Sequence, residues 1–270
     1  MNWFYDDLTK WIKNGCDKVI GNSITSLIID CYNLKILPPE IGNLINLQEL
    51  HCSDNYLKKL PPEIGNLINL QIFDCSENNL ETLPPEIGNL IKLQIFDCNS
   101  NNLKNLPQEF NKLINLQSLS CYNNKLTTLP ANFCNLISLQ SFSCGNNNLK
   151  IIPPEIGNLT NLKTFLCYNN KLTIFPPEIC NLINIETVEL HQNKLLTLPS
   201  EICNLINLRY FNYSNNPIEY INPQIIRFLN RRKNVQQIYN DAQSVHNHNI
   251  QEGIKNGVQY IMSIKSETFN

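Results

Sequence analysis

The phrase LPPEIGNLINL runs from Leu60 to Leu70, occurs almost unchanged from Leu37, and returns from Leu83 with Lys92 in place of the usual Asn. Its leading residue can be followed through Leu37, Leu60, Leu83, Leu106, Leu129, Ile152, Phe175, Leu198 and Ile221, and the step is 23 residues every time. An uninterrupted period of this size constrains the fold more than any local propensity does. Each unit is too small to bury its own apolar face and has to bury it against its neighbours. One solenoid domain is therefore expected, although 270 residues would allow two domains.

One unit, taken from Leu47, reads LQELHCSDNYLKKLPPEIGNLIN, with apolar or small residues at Leu47, Leu50, Cys52, Leu57, Leu60, Ile64 and Leu67. Leu50, His51 and Cys52 alternate in, out, in, which is the period of a strand. Asn55 and a turn follow, then Pro61, Pro62 and Glu63. Proline at the first helical position loses no hydrogen bond and a carboxylate in the first turn suits the helix dipole, so PPEIGNL predicts a short helical turn. Stacked coils would set their strands side by side at roughly 4.8 Å in a parallel sheet, about 40 Å across for nine units.

A column of asparagines, Asn55, Asn78, Asn101, Asn124, Asn147, Asn170, Asn193 and Asn216, falls where the chain leaves each strand. A buried carboxamide has to be hydrogen-bonded, and the backbone of adjacent coils supplies the partners. A position that recurs in every unit cannot carry a unique chemistry, so this column is expected to be structural.

The pattern L-x-x-L-x-L-x-x-N-x-L-x-x-L-P-x-x-I-x-x-L resembles that of the leucine-rich repeats, with Cys, or in two repeats Leu190 or Tyr213, in the third slot. The 23-residue length and the LPPEIGNL phrase are similar to the intracellular, Ras-group subclass. The resemblance covers about residues 24 to 230. It implies an α/β solenoid, a curved arc with a parallel sheet on the concave face, short helical turns on the convex face and helical caps. It implies binding without naming a ligand. In the first unit Tyr32 stands where Asn is expected, and the last unit, INPQIIRFLN, has lost the proline phrase, so both ends look like transitions into caps.

The formal net charge of -2 argues against generic nucleic-acid binding, which needs many cations to displace counterions from phosphates. The opening MNWFYDDLTKWIKNG lacks the basic start and apolar run of a secretory signal, and no apolar stretch approaches a membrane span. A cytoplasmic protein without integral membrane association is expected, in which the sequons at Asn158 and Asn212 go unused. The cysteines number 11, an odd count, and follow the repeat instead of a pairing rule, which fits reduced thiols.

Six of them, Cys52, Cys75, Cys98, Cys121, Cys144 and Cys167, share the inward slot of successive strands. Zinc needs four ligands converging on a point, whereas these thiols lie in a line, so a ladder of small buried hydrophobes is expected over a metal or redox site. Cys134, Cys180 and Cys203 share the Gly65 position of the helical turn. Among the histidines, His51 and His191 are six repeats apart, and the HNH at 246 to 248 has no third ligand near in sequence. No glycine cluster forms a phosphate-binding loop. No convergent catalytic set, metal site or cofactor site is expected.

Outward slots of the strands are where the repeat is broken most freely. The first third carries Asp30, Glu49, Asp74 and Asp97 beside Ile28, Ile72 and Ile95, with His51 among them; the later part presents Tyr122, Leu166, Tyr168, Glu189, His191 and Tyr210. Exposed aliphatic and tyrosine side chains on a rigid sheet have the composition of a protein-binding patch, and acidic neighbours favour a basic partner. The competing explanation is that strands favour Ile and Tyr by propensity.

At the N-terminus, residues 1 to 23 place Trp3, Phe4, Leu8, Trp11 and Ile12 close to helical spacing, predicting an amphipathic helical cap over the first coil. Residues 231 to 270 carry no repeat phrase; Val235, Ile238 and Tyr239, then Val245, Ile250, Ile254, Val258 and Ile261, predict two helices forming a cap or a small module. The IYNDAQSVHNHNIQ phrase is similar to C-terminal extensions of repeat proteins from amoeba-infecting giant viruses, which would place the chain in the host cytoplasm. The function expected is a non-catalytic scaffold holding a protein partner on the concave sheet. Its competitor is the recognition or regulatory subunit of a ubiquitin-ligase or small-GTPase signalling complex.

Overall fold

The computed structural model describes residues 2–130 and 132–231. Ten three-residue strands form one parallel sheet in strict chain order: β1 (Asn2–Phe4), β2 (Ser26–Ile28), β3 (Glu49–His51), β4 (Ile72–Asp74), β5 (Ile95–Asp97), β6 (Ser118–Ser120), β7 (Ser141–Ser143), β8 (Thr164–Leu166), β9 (Thr187–Glu189) and β10 (Tyr210–Asn212). Each strand pairs with the next without slippage, Leu50 opposite Phe73 opposite Phe96. The central residue of every strand points inward and is buried.

Between strands the proline phrase makes a 3-10 turn, as at Pro62–Asn66 and Pro85–Asn89. Pro61 is extended at φ -69° and ψ 144°, and its carbonyl accepts from Ile64 N–H at 3.1 Å, so the turn closes by the tighter i to i+3 pattern. Five residues are all that one coil can spare before the next leucine must return to the core. The strands are short for a related reason. Two residues past the inward cysteine the chain turns through a left-handed residue, at Asp54, Glu77, Ser100, Asn123, Asn146, Asn169, Gln192 and Asn215, with φ between 48° and 55°.

Leucines from strand, loop and turn fill the interior, joined by Phe73 and Phe96 with ring centroids 5.3 Å apart and by Phe142 and Phe165 at 5.8 Å. Each asparagine of the recurrent column stitches two coils. Asn78 donates to Cys52 O at 2.9 Å and Ser76 O at 2.9 Å, while its Oδ1 accepts from Leu57 N–H at 2.9 Å.

The N-terminus departs from the expected helix in one respect. Asn2, Trp3 and Phe4 form β1 and pair with Ser26, Leu27 and Ile28; the helix α1 begins only at Tyr5 and runs Tyr5–Lys13. Trp3 occupies the inward slot that Leu, Phe or Val holds in the repeats, so NWF has the out, in, out pattern of a repeat strand and supplies the sheet with its terminal row. Asp7 accepts from Phe4 N–H at 3.1 Å and fixes the corner. Trp3 and Trp11 meet edge to face at 5.7 Å, and Trp11 Nε1 donates to Asp17 O at 2.8 Å. Asp17 then caps α2 (Lys18–Asn22).

The chain divides into two units, Met1–Ile225 and Ile226–Asn270, and only residues 226–231 of the second are described. Loss of the proline phrase after β10 gives α3 (Pro223–Arg231), whose start is held by Asn222 Oδ1 accepting from Gln224 N–H at 2.9 Å. The helices expected beyond residue 231, the HNH triplet and the tail phrase lie outside the described residues.

Candidate functional surface on the sheet

Because side chains alternate along a strand, the residues flanking each buried central position face outward, and the strict register lines them up in columns. One column runs Glu49, Ile72, Ile95, Ser118, Ser141, Thr164, Thr187, Tyr210; a second runs His51, Asp74, Asp97, Ser120, Ser143, Leu166, Glu189, Asn212. The residues after the inward cysteines add a third, Ser53, Ser76, Asn99, Tyr122, Gly145, Tyr168, His191 and Ser214. None of these positions carries Lys or Arg.

At one end the carboxylates of Asp74 and Asp97 stand on paired positions of β4 and β5. Asp74 Oδ1 accepts from Ser76 N–H at 2.9 Å and from its hydroxyl at 2.7 Å. Asp97 Oδ1 accepts from Asn99 N–H at 2.9 Å. Burial, then the neighbouring Asp74 charge, pushes the Asp97 carboxyl up to about 7, against the opposing pull of that hydrogen bond. Ile72 and Ile95 sit side by side in half-buried positions next to this pair.

The middle of the face is a floor of small hydroxyls, Ser118 opposite Ser141 and Ser120 opposite Ser143. Ser120 Oγ donates to Asn99 Oδ1 at 2.7 Å, and the same oxygen accepts from Tyr122 N–H at 2.9 Å.

Aromatic groups crowd the far end. The Tyr168 ring stacks on the His191 ring at 4.8 Å with an interplanar angle of 3°. On its other side it lies over Gly145, where an added Cβ would meet ring atoms at 2.8 Å. Burial, then the Glu189 charge, pushes the Tyr168 phenol up to about 12. Glu189 is itself pushed up to about 7 by burial; its Oε2 lies 3.4 Å from His191 Nδ1, which also meets Asn212 Nδ2 at 3.2 Å.

The outward residues expected from the sequence are thus on one face, but not as equals. Glu49, His51, Ile72, Asp74, Ile95, Asp97, Tyr122, Leu166, Tyr168, Glu189 and Tyr210 keep part of their surface, whereas His191 retains 5%. His191 was expected to be open to solvent; stacking under Tyr168 covers it. Two contributors stood in the outward slots without being singled out from the sequence. Gly145 is the gap that lets Tyr168 lie flat, and Asn99 is buried and ties β5 to β6. Their signal was the one glycine and the one asparagine in a column otherwise made of Ser, Tyr and His.

The other columns are interior. Cys52, Cys75, Cys98, Cys121, Cys144 and Cys167 are fully buried, and Cys52, Cys98 and Cys121 each direct Sγ at a carbonyl of the next strand at 3.4 Å. Burial raises the thiols of Cys52, Cys75, Cys98, Cys121 and Cys144, and Cys134 and Cys180 rise to about 12, so these are protonated, unreactive groups. No group of three or more His, Cys, Asp or Glu among the described residues is placed to hold a metal ion. No helix among them is long and apolar enough to cross a membrane.

Comparison with known proteins agrees with this architecture. Residues 63–173 match the family model of a leucine-rich repeat region and residues 46–67 that of a single leucine-rich repeat. A leucine-rich repeat protein of Leptospira interrogans is similar in structure with a TM-score of 0.63 and 33% identity, over 80% of this chain and 60% of that one. The ectodomain of the plant membrane receptor kinase GASSHO1/SCHENGEN3 from Arabidopsis thaliana, solved in complex with CASPARIAN STRIP INTEGRITY FACTOR 2, is similar with a TM-score of 0.68 and 28% identity, over 77% of this chain and 26% of that one. An internalin of Listeria monocytogenes shares the fold alone, at 17% identity and a TM-score of 0.62, over 82% of this chain and 74% of that one. The chain therefore spans 60% and 26% of the first two structures. No curated protein matches the sequence. The chain carries a leucine-rich repeat solenoid, a fold whose members commonly mediate protein–protein interaction.

Proposed function

We propose that this chain is a non-catalytic binding module that holds a basic protein segment against the outward face of its sheet. The observation that carries the reading is the charge of that face. Asp74, Asp97, Glu49 and Glu189 lie in columns that contain no Lys or Arg, although the chain has 21 such residues. Half-buried carboxylates such as those of Asp74 and Asp97, on a face with no Lys or Arg, favour an incoming positive charge and steer its approach. Tyr122, Leu166 and Tyr210 supply apolar area at the other end, where aromatic groups bind at low entropic cost.

Support also comes from the Arabidopsis receptor ectodomain, which was solved in complex with CASPARIAN STRIP INTEGRITY FACTOR 2. The 23-residue repeat resembles the intracellular subclass, and with it goes a cytoplasmic location. Membership of a ubiquitin-ligase or small-GTPase complex rests on that resemblance alone and adds no residue to the site.

The test uses Asp74→Asn, Tyr122→Ser and Leu166→Ser combined, three changes that leave the Tyr168 stack intact. Proteins captured by the tagged chain from its native cell are expected to be lost, with the melting temperature changed by no more than about 3 °C. Capture that survives the triple change removes this face from consideration. Because Asp97 and Glu189 gain their negative charge only near pH 7, capture is expected to strengthen from pH 5 to pH 8.

A further inference from the structure

A second surface lies where each turn hands over to the following strand. The turn phrase ends in a buried leucine, and the residue after it is exposed: Ile45, Ile68, Ile91, Ile114, Ile137, Ile183 and Ile206 keep between 44% and 66% of their surface, with Thr160 as the single interruption. One exposed isoleucine is unremarkable, but seven in register on stacked coils make a continuous stripe. Its apolar area is on the order of 700 Å², more than a monomer usually exposes in one patch and close to what each partner contributes to a standard interface.

The stripe is rigid. Where asparagine follows the stripe residue it reaches back one coil, Asn69 Nδ2 donating to Ile45 O at 2.9 Å, Asn115 to Ile91 O at 2.7 Å, Asn161 to Ile137 O at 2.8 Å and Asn207 to Ile183 O at 2.8 Å. Little ordering entropy remains to be lost on contact. The rim is neutral: the positions flanking the stripe hold Asn or Ser except for Lys92 and Lys112. A lipid or nucleic-acid surface favours a basic rim, and a charged protein favours a complementary one. A neutral, evenly spaced apolar ladder is matched by another ladder of the same spacing.

We infer that a second copy of this chain covers the stripe, the two ladders packing antiparallel about a two-fold axis between the Ile114 and Ile137 rungs. Full antiparallel overlap sets the sixth rung, Thr160, against the third, Ile91 with Lys92. The break in the apolar stripe then meets the charge on its rim. Parallel pairing would instead bring Lys92 of one copy within a rung of Lys112 of the other, a like-charge contact. Such an interface is isologous and closes at two copies, leaving both sheet faces open.

Sedimentation equilibrium of the full chain between about 1 and 100 µM tests this. The expected mass is twice that of the chain, falling to the single chain for Ile114→Glu/Ile137→Glu with circular dichroism and melting temperature unchanged, since both side chains are exposed. Thr160→Glu is expected to tighten dimerisation several-fold by facing Lys92 of the second copy, and Lys92→Glu in that background to reverse the gain. A wild-type chain that stays monomeric, a dimer indifferent to the Ile114/Ile137 change, or a monomer that binds phosphatidylcholine vesicles through the stripe would overturn the inference. Thr160→Glu without effect overturns the antiparallel register. None of these changes touches the sheet face, so the outcome is independent of the capture experiment.

Discussion

Asn101 donates to Cys75 O at 3.0 Å and Asn99 O at 3.0 Å, and accepts from Leu80 N–H at 2.9 Å, all in the interior. Alanine there leaves a buried donor and buried acceptors without partners, so Asn101→Ala is expected to cost about 2–4 kcal/mol in urea denaturation. Asp97 behaves in the opposite sense. Its carboxyl titrates near 7 in the folded chain against an ordinary value of 3.8. Between those values the folded state keeps a proton that the unfolded state releases, so its contribution falls as pH rises from about 4 to about 7 and stays unfavourable above. Asparagine cannot ionise and keeps the acceptor for Asn99 N–H. Asp97→Asn is expected to stabilise the chain by about 1–2 kcal/mol at pH 8 and to change nothing at pH 4. The full shift would amount to about 4 kcal/mol, and the residue's partial exposure reduces it. Urea midpoints at the two pH values decide this, and a loss of stability at pH 8 would refute it.

The 3-10 turns explain why the repeat phrase is so uniform where it is uniform. A Cβ on Gly65 would lie 2.6 Å from Glu86 Cβ and 2.7 Å from Glu86 O in the next turn, and Gly88 and Gly157 meet the same obstacle at Glu109 and Glu178. Turn stacks directly on turn at this column, so Gly65→Ala is expected to cost about 1–3 kcal/mol and to lower the melting temperature. Cys134, Cys180 and Cys203 stand in the same column, so the restriction belongs to particular neighbouring turns and not to the repeat as such. Period and residue type made the inward cysteines, the asparagine column and the helical turn legible. The left-handed residue before each Asn was not read from the sequence, since Asp, Asn, Ser, Glu and Gln all occupy it. Nor was β1, because NWF contains a single inward position and adjoins a helix with the same aromatic spacing.

Across the whole chain the two surfaces differ in how they could be read. The sheet face announced itself by variation, since its columns break the repeat. The isoleucine stripe hid in its regularity: a residue repeated in nearly every turn reads as scaffold until its exposure is known. Sequence alone determined the architecture, because a 23-residue period leaves stacking as the only way to bury seven apolar positions per unit. Tertiary structure decided which outward residues remain available. His191 is covered by a ring one coil away, Asp97 holds its proton because it is buried and, second, because a carboxylate stands on the adjacent strand, and Ile114 is exposed while Leu113 beside it is not. Each of those outcomes depends on what the neighbouring coil places within about 5 Å, and a pattern read along the chain carries no information about that distance.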